Sequence, residues 1–279
     1  MRYLLRAAAA VLAFTVPAMA QDAALLERGR YLVEVTAACG NCHTPMGPEG
    51  PVPGRHLAGG MVFDEQPFRA VAPNITPDPE TGIGRWTDAQ LALAIREGKR
   101  PDGSTIGPPM PFTFYRGLSD RDLTAMIAYL RTVPPVRNAT EQSVYRITLP
   151  PAYGPPVTSV PPPAENPIAR GAYLAGPVAH CLECHTPMQP NGQHDMARLG
   201  AGGMEFRGPW GVSVARNMTP HANGLGGWTD EEIVRAVTTG VSREGRPLAP
   251  PMAFWAYRNM SQQDLTDLVA YLRSMPPQP

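Results

Sequence analysis

Apolar residues recur at helical spacing in three stretches of the first half of the chain, and in three matching stretches about 142 residues later. The first pair runs from Ala23 to about Ala38 and from Pro167 to about His180. The second places Leu91, Ala94 and Ile95, then Ile233, Val234 and Val237, on one helix face. The third does so with Leu123, Met126, Ile127 and Leu130, then Leu265, Leu268, Val269 and Leu272. This recurrence at i, i+3 and i+4 predicts amphipathic helices. Start signals agree. Thr87-Asp88-Ala89-Gln90 and Thr229-Asp230-Glu231-Glu232 are capping boxes, and Ser119 and Ser261 stand where N-caps belong. Gly29 and Gly171 interrupt the first helices, where glycine costs about 1 kcal/mol relative to alanine. They are expected only where another backbone comes close. The stretches between helices are rich in Gly and Pro and show no sustained alternation. The pattern predicts an all-α fold with little sheet.

The repeat extends well beyond the helices. Arg28-Gly29-Arg30-Tyr31-Leu32 matches Arg170-Gly171-Ala172-Tyr173-Leu174, and His43-Thr44-Pro45-Met46 matches His185-Thr186-Pro187-Met188. Asn74-Ile75-Thr76-Pro77 matches Asn217-Met218-Thr219-Pro220, and Trp86-Thr87-Asp88 matches Trp228-Thr229-Asp230. A period this long means domain duplication, not a solenoid. Residues 150–167 hold eight prolines in 18 positions, a composition that favours extended geometry over helix. The expected organisation is a leader at 1–20, a first domain at 21–136, a Pro-rich connector at 137–164 and a second domain at 165–279. Val144, Tyr145, Ile147 and Tyr153 in the connector are apolar anchors that a free tether would not need.

The leader reads as an export signal. Arg2 and Arg6 form a basic start, Ala7 to Val16 is an apolar run too short to span a bilayer, and Ala18-Met19-Ala20 is a small-residue cleavage site. Cleavage is expected after Ala20; the competing reading is an uncleaved anchor. No later stretch approaches 18 apolar residues, so no transmembrane segment is expected in the mature chain. The formal charge is zero, with 24 basic and 24 acidic residues; losing Arg2 and Arg6 leaves 22 against 24, or −2. With no basic stripe, nucleic acid is not an expected partner.

All four cysteines fall in two copies of C-x-x-C-H: Cys39-Gly40-Asn41-Cys42-His43 and Cys181-Leu182-Glu183-Cys184-His185. This is the pattern of c-type haem attachment. Thiols one helical turn apart reach the two vinyl groups of one porphyrin, and the adjacent histidine supplies one axial bond to iron. The residue on the opposite face largely decides what such an iron does. Met110 and Met252 each lie 67 residues after their histidine, in Pro-Pro-Met contexts that stiffen the backbone. They are the expected sixth ligands. Met61 and Met204, each after Gly-Gly, are the alternative pair. Met46 and Met188 lie too close to the histidines to reach the other face. His56, His180, His194 and His221 have no counterparts in the other repeat, which disfavours bis-histidine sites. Asn74, Thr76 and Trp86, with Asn217, Thr219 and Trp228, are candidate haem contacts through their polar groups; the competing reading is a turn followed by a core tryptophan. A zinc site or thioredoxin-like pairs would leave the matched Pro-Pro-Met elements unexplained, and the two cysteine pairs lie too far apart in sequence for a compact zinc knuckle.

Taken in order, C-x-x-C-H, N-x-T-P, W-T-D, P-P-M-x-x-F and the closing L-x-A-x-I-A-Y-L-R make the chain resemble a bacterial dihaem class I cytochrome c. It is similar to the cytochrome c subunits of periplasm-facing alcohol, gluconate and sorbitol dehydrogenases, and of molybdenum hydroxylases such as nicotinate dehydrogenase. The resemblance covers nearly all of the expected mature chain. It implies two covalent haem c groups, thioether bonds at Cys39, Cys42, Cys181 and Cys184, and His/Met ligation by His43 with Met110 and His185 with Met252. It further implies a periplasmic electron carrier, not an enzyme, with a dehydrogenase as donor and a cytochrome or oxidase as acceptor. The alternative is a dihaem enzyme such as a peroxidase or thiosulfate dehydrogenase, which needs one open or differently ligated iron. The better-known dehydrogenase subunits carry three haems and often a membrane anchor. This chain has two motifs and no such stretch, so contact with a membrane is expected only through a partner complex.

Overall fold

A computed structural model describes residues 18–208 and 210–279. The leader features expected at Arg2, Arg6 and Ala7 to Val16 lie outside the described residues, and the junction after Ala20 falls within the first helix. That helix, α1 (Ala18–Tyr31), runs without a break into a π-helical turn at Leu32–Thr36. Its wider spacing is closed by Ala37 N–H donating to the Leu32 carbonyl at 2.8 Å. Next come α2 (Gly40–His43), the hairpin β1 (Met46–Gly47) and β2 (Gly50–Pro51), and the hairpin β3 (Val62–Glu65) and β4 (Phe68–Val71). The first unit closes with α3 (Asp88–Glu97), α4 (Phe112–Tyr115) and α5 (Asp120–Leu130). After β5 (Val144–Tyr145), the second unit repeats the order, with a single bridge between Met188 and His194 in place of the first hairpin. It comprises α6 (Pro167–Tyr173), a π turn at Leu174–Val178, α7 (Cys181–Cys184), the hairpin β6 (Glu205–Gly208) and β7 (Gly211–Val214), α8 (Asp230–Thr239), α9 (Phe254–Tyr257) and α10 (Gln262–Ser274). No helix among the described residues is long and apolar enough to cross a membrane.

The caps form as the residue types dictate. Thr87 and Thr229 accept from the backbone N–H three residues on, while Gln90 and Glu232 reach back to the cap N–H. Ser119 and Ser261 accept from Asp122 and Asp264. Gly98 and Gly240 end α3 and α8 in the left-handed region. The helices α1 and α5 cross at Gly29, where an added Cβ would lie 2.7 Å from the Ala125 carbonyl carbon; Gly171 meets Asp267 the same way.

The chain is mainly helical, but small antiparallel sheets accompany the helices. Strands of two to four residues are too short for alternation to register in sequence, and they leave the expected all-α fold with little sheet standing in the main. One strand, β5, comes from the Pro-rich segment and pairs with β4 at Phe68↔Tyr145 and Arg69↔Val144. Beyond it the segment stays on the first unit. Tyr153 stacks on Phe112 with centroids 5.0 Å apart and donates to the Ile106 carbonyl at 2.9 Å. Val157 N–H donates to Glu97, and Asp120 N–H to the Val160 carbonyl. Tyr145 and Tyr153 are thus anchored, whereas Val144 and Ile147 are exposed.

The two units share one buried apolar cluster. The π turn of each packs on the short helix of the other, Leu32–Thr36 on α9 and Leu174–Val178 on α4. Two reciprocal tyrosine clasps hold this join. Tyr31 donates to Asp264 at 2.6 Å and accepts from the Ser261 N–H at 2.8 Å. Tyr173 donates to Asp122 at 2.9 Å and accepts from the Ser119 N–H at 3.0 Å. Each clasp grips the N-cap of the other unit's last helix.

Candidate functional site

Each π turn leads into a residue with positive φ, Ala38 at 46° or His180 at 40°, which swings the chain into the C-x-x-C-H turn. There His43 N–H donates to the Cys39 carbonyl at 2.9 Å and His185 N–H to the Cys181 carbonyl at 3.0 Å. One helical turn thus carries both thiols and the imidazole. The histidines are oriented by backbone. Nδ1–H of His43 donates to the Pro73 carbonyl at 2.8 Å, and Nδ1–H of His185 to the Arg216 carbonyl at 2.6 Å. A carbonyl only accepts, so Nδ1 carries the proton and Nε2 keeps its lone pair for a metal. Burial lowers both imidazole pKa values, which preserves that lone pair.

No two of the four cysteines are joined by a disulfide. Burial pushes the Cys39 and Cys42 thiols up to about 12, with the nearby carboxylates of Glu34 and Glu183 adding to the shift. Burial likewise raises Cys181 to about 11 and Cys184 well above its ordinary value. The direction is opposite to the lowering that marks reactive redox cysteines. Nor does any cluster of three or more His, Cys, Asp or Glu among the described residues offer a metal cage. The π turns that lead into the two attachment turns pack against each other at the join.

Among the methionines, Met110 and Met252 are partly buried and pack against the apolar cluster. Each sits just after a cis Pro-Pro bond, Pro108–Pro109 or Pro250–Pro251. Met46 and Met188 are largely exposed. Met61 and Met204, partly buried, border the hairpins β3–β4 and β6–β7. The other histidines are engaged elsewhere: His56 with Glu34, His180 with Glu183, His194 with the Glu183 carbonyl and His221 with Asn223.

Asn74 and Thr76 are committed to a turn. Asn74 Oδ1 accepts from the N–H and hydroxyl of Thr76, and its amide donates to Thr81 and to the Val136 carbonyl. Asn217 and Thr219 repeat this, with Asn223 and the Gln278 carbonyl as the amide's acceptors. These bonds take up most of the capacity that a haem propionate would need. The indoles of Trp86 and Trp228 differ: both are partly buried, and neither N–H meets a protein acceptor among the described residues. What sequence reasoning passed over is how those tryptophan loops are held. Arg131 at the end of α5 donates to the carbonyls of Ile83 and Trp86, and Arg273 to those of Leu225 and Trp228. Their recurrence in the Tyr-Leu-Arg repeat was the available signal.

Paired thiols, an imidazole with Nε2 bare, a core-packed thioether and a free indole N–H form a donor set that fits haem c, in both units. The cytochrome c family model matches residues 26–134 and again 168–276. The chain is 33% identical to a diheme cytochrome c-type protein of Cereibacter sphaeroides, over 85% of this chain and 82% of that one. It is 33% identical to the cytochrome c subunit of the quinone alcohol dehydrogenase of Gluconobacter oxydans, over 94% of this chain and 57% of that subunit. It is 32% identical to a nicotinate dehydrogenase subunit of Pseudomonas putida, over 92% of this chain but only 22% of that protein. The chain thus spans well under two thirds of these last two relatives. Two matches to one family model, each containing a C-x-x-C-H turn, place this chain in the cytochrome c family, with two sites for covalently bound haem c.

Proposed function

We propose that this chain is a periplasmic one-electron carrier, taking electrons from a dehydrogenase and passing them to a respiratory cytochrome or oxidase. Bound haem supplies the iron that cycles between ferrous and ferric. The protein's own residues do the rest. Cys39, Cys42, Cys181 and Cys184 anchor the two groups by thioether bonds. His43 and His185, fixed by the Pro73 and Arg216 carbonyls, each offer Nε2. Met110 and Met252 would each offer a thioether to the iron, a ligand that would favour electron transfer over substrate binding and raise the potential. The Trp86 and Trp228 indoles donate to propionates. The leader directs export and is cleaved after Ala20, and the contact with a membrane complex is through a partner. The observation that carries this reading is the duplication of the whole donor set, with methionine at the same 67-residue distance in each unit. A split into one catalytic and one relay iron would have broken that match.

The test is separate Met110→Ala and Met252→Ala variants of the haem-loaded protein, with spectra and redox titration. Each is expected to remove half of the methionine–iron charge-transfer band and to lower one of two midpoint potentials. Unchanged spectra in both variants would refute the ligand assignment. A pyridine haemochrome assay is expected to give two haems per chain.

A further inference from the structure

We infer that Asn41, in the first attachment turn, is a positioning residue for the methionine loop of the second unit. The inference rests on the His185/Met252 reading above. The Asn41 amide donates to the Pro251 carbonyl at 3.1 Å, and its Oδ1 accepts from the Trp255 indole N–H at 3.1 Å. Pro251 directly precedes Met252, and Trp255 lies three residues after it. One side chain therefore grips the loop on both sides of the thioether.

The grip is one-sided, unlike the tyrosine clasps. Asn41 corresponds to Glu183, which turns to His180 in its own unit at 3.1 Å. Trp255 corresponds to Thr113, which has no indole to offer. The first unit's methionine loop is held by other means. Its approach, Ile106 and Gly107, is covered by Tyr153 and Tyr145 of the Pro-rich segment. The second unit lacks that cover among the described residues. Its loop is held by Ser213, whose hydroxyl donates to the Pro250 carbonyl at 2.6 Å, and by Asn41 of the first unit. The grip on Met252 thus depends on the other unit's attachment turn, so loosening that turn reaches the second iron through two hydrogen bonds.

Imidazole displacing methionine from the ferric holoprotein reads this directly, because it binds only when the loop lets go. Two binding phases are expected in the unaltered protein, and Met252→Ala assigns one of them to the second haem. Asn41→Ala is expected to raise imidazole affinity in that phase about tenfold, equivalent to about 1.4 kcal/mol, and to leave the other phase within twofold. Trp255→Phe keeps the ring, removes one hydrogen bond and is expected to give about threefold in the same phase. Equal changes in both phases, or less than twofold in the second with either variant, overturn the inference. If Asn41→Ala fails to take up haem, Trp255→Phe decides alone. A Met252→Ala variant that leaves both phases and the charge-transfer band intact would instead refute the ligand reading beneath it.

Discussion

Replacing Gly29 by alanine is a test in which two general rules predict opposite signs. On an ordinary helix the change stabilises by about 0.4–1 kcal/mol, through helix propensity and a stiffer unfolded chain. Here the new methyl would sit 2.7 Å from the Ala125 carbonyl carbon and 2.8 Å from Tyr129 Cβ, and closer still to the Ala125 carbonyl oxygen. Ordinary van der Waals contact begins near 3.4 Å, so α1 and α5 must part by well over half an ångström along their crossing. The obstacle is backbone, which cannot swing aside as a side chain can. Overpacking by one methyl typically costs about 1–3 kcal/mol, and a backbone obstacle sits at the upper end. Subtracting the propensity gain leaves about 2 kcal/mol of destabilisation. In a module of this size that lowers the midpoint of thermal unfolding by roughly 10 °C. Differential scanning calorimetry of the holoprotein is the assay. Gly171→Ala, facing Asp267 with the same clearances, is expected to behave alike. A Gly29→Ala protein as stable as the parent, or more so, would refute the close crossing and with it the helix arrangement of the unit.

The tyrosine clasps titrate. Burial, aided by the hydrogen bond to Asp264, raises Tyr31 to about 12, and burial with Asp122 does the same for Tyr173. Because the folded values lie above the ordinary value of about 10, this stability is complete below pH 10 and is lost as pH rises towards 12. The Tyr31→Phe, Tyr173→Phe double variant is expected to lose about 1–2 kcal/mol per clasp at pH 7 and to flatten the alkaline limb of urea midpoints. At the acid end, the Arg170 hydrogen bond lowers the Asp267 carboxyl below its ordinary range. Its stability is present above the unfolded value of about 3.9 and fades as pH falls through the folded one, so Asp267→Asn should flatten that limb. Thr229→Ala, which removes a complete capping box, is expected to cost about 1 kcal/mol in urea unfolding.

The helices α3, α5, α8 and α10 were legible because each has a cap, a stripe and a stop that act within a dozen residues. The attachment turns were legible because covalent chemistry dictates their spacing. The π turns were not: one wide turn shifts the apolar stripe over too few residues for the shift to be read, and it is the packing of one unit on the other that uses the wider turn. The strand at Val144–Tyr145 escaped for the same reason, being two residues that pair only because β4 offers an edge. For Asn74 and Thr76 the sequence showed the polar groups but not the competition for them, which the turn's own backbone and side chains win. Comparing the repeats marked the residues that the two units share, though not every contact those residues make. It was blind to Asn41 and Trp255, whose partners lie in the other unit and whose counterparts differ.

The same blindness extends to how the two haem sites are held together. A Pro-rich join between duplicated domains suggests a tether, with the distance between sites set by its length. The contacts point elsewhere. From Val144 to Val160 the segment is fastened to the first unit, by β5, by Tyr153 on Phe112 and by the Asp120 cap. Only a few residues then remain before Asn166 caps α6. What sets one attachment turn against the other is the shared apolar cluster, the π turns on the short helices, and the tyrosine clasps. Each clasp seizes the N-cap of a last helix, and that helix also braces its own unit's tryptophan loop through Arg131 or Arg273. The separation between the sites is therefore set by packed surfaces and not by the length of the linker. An electron carrier needs that separation held, because transfer between two irons falls steeply as their edges move apart.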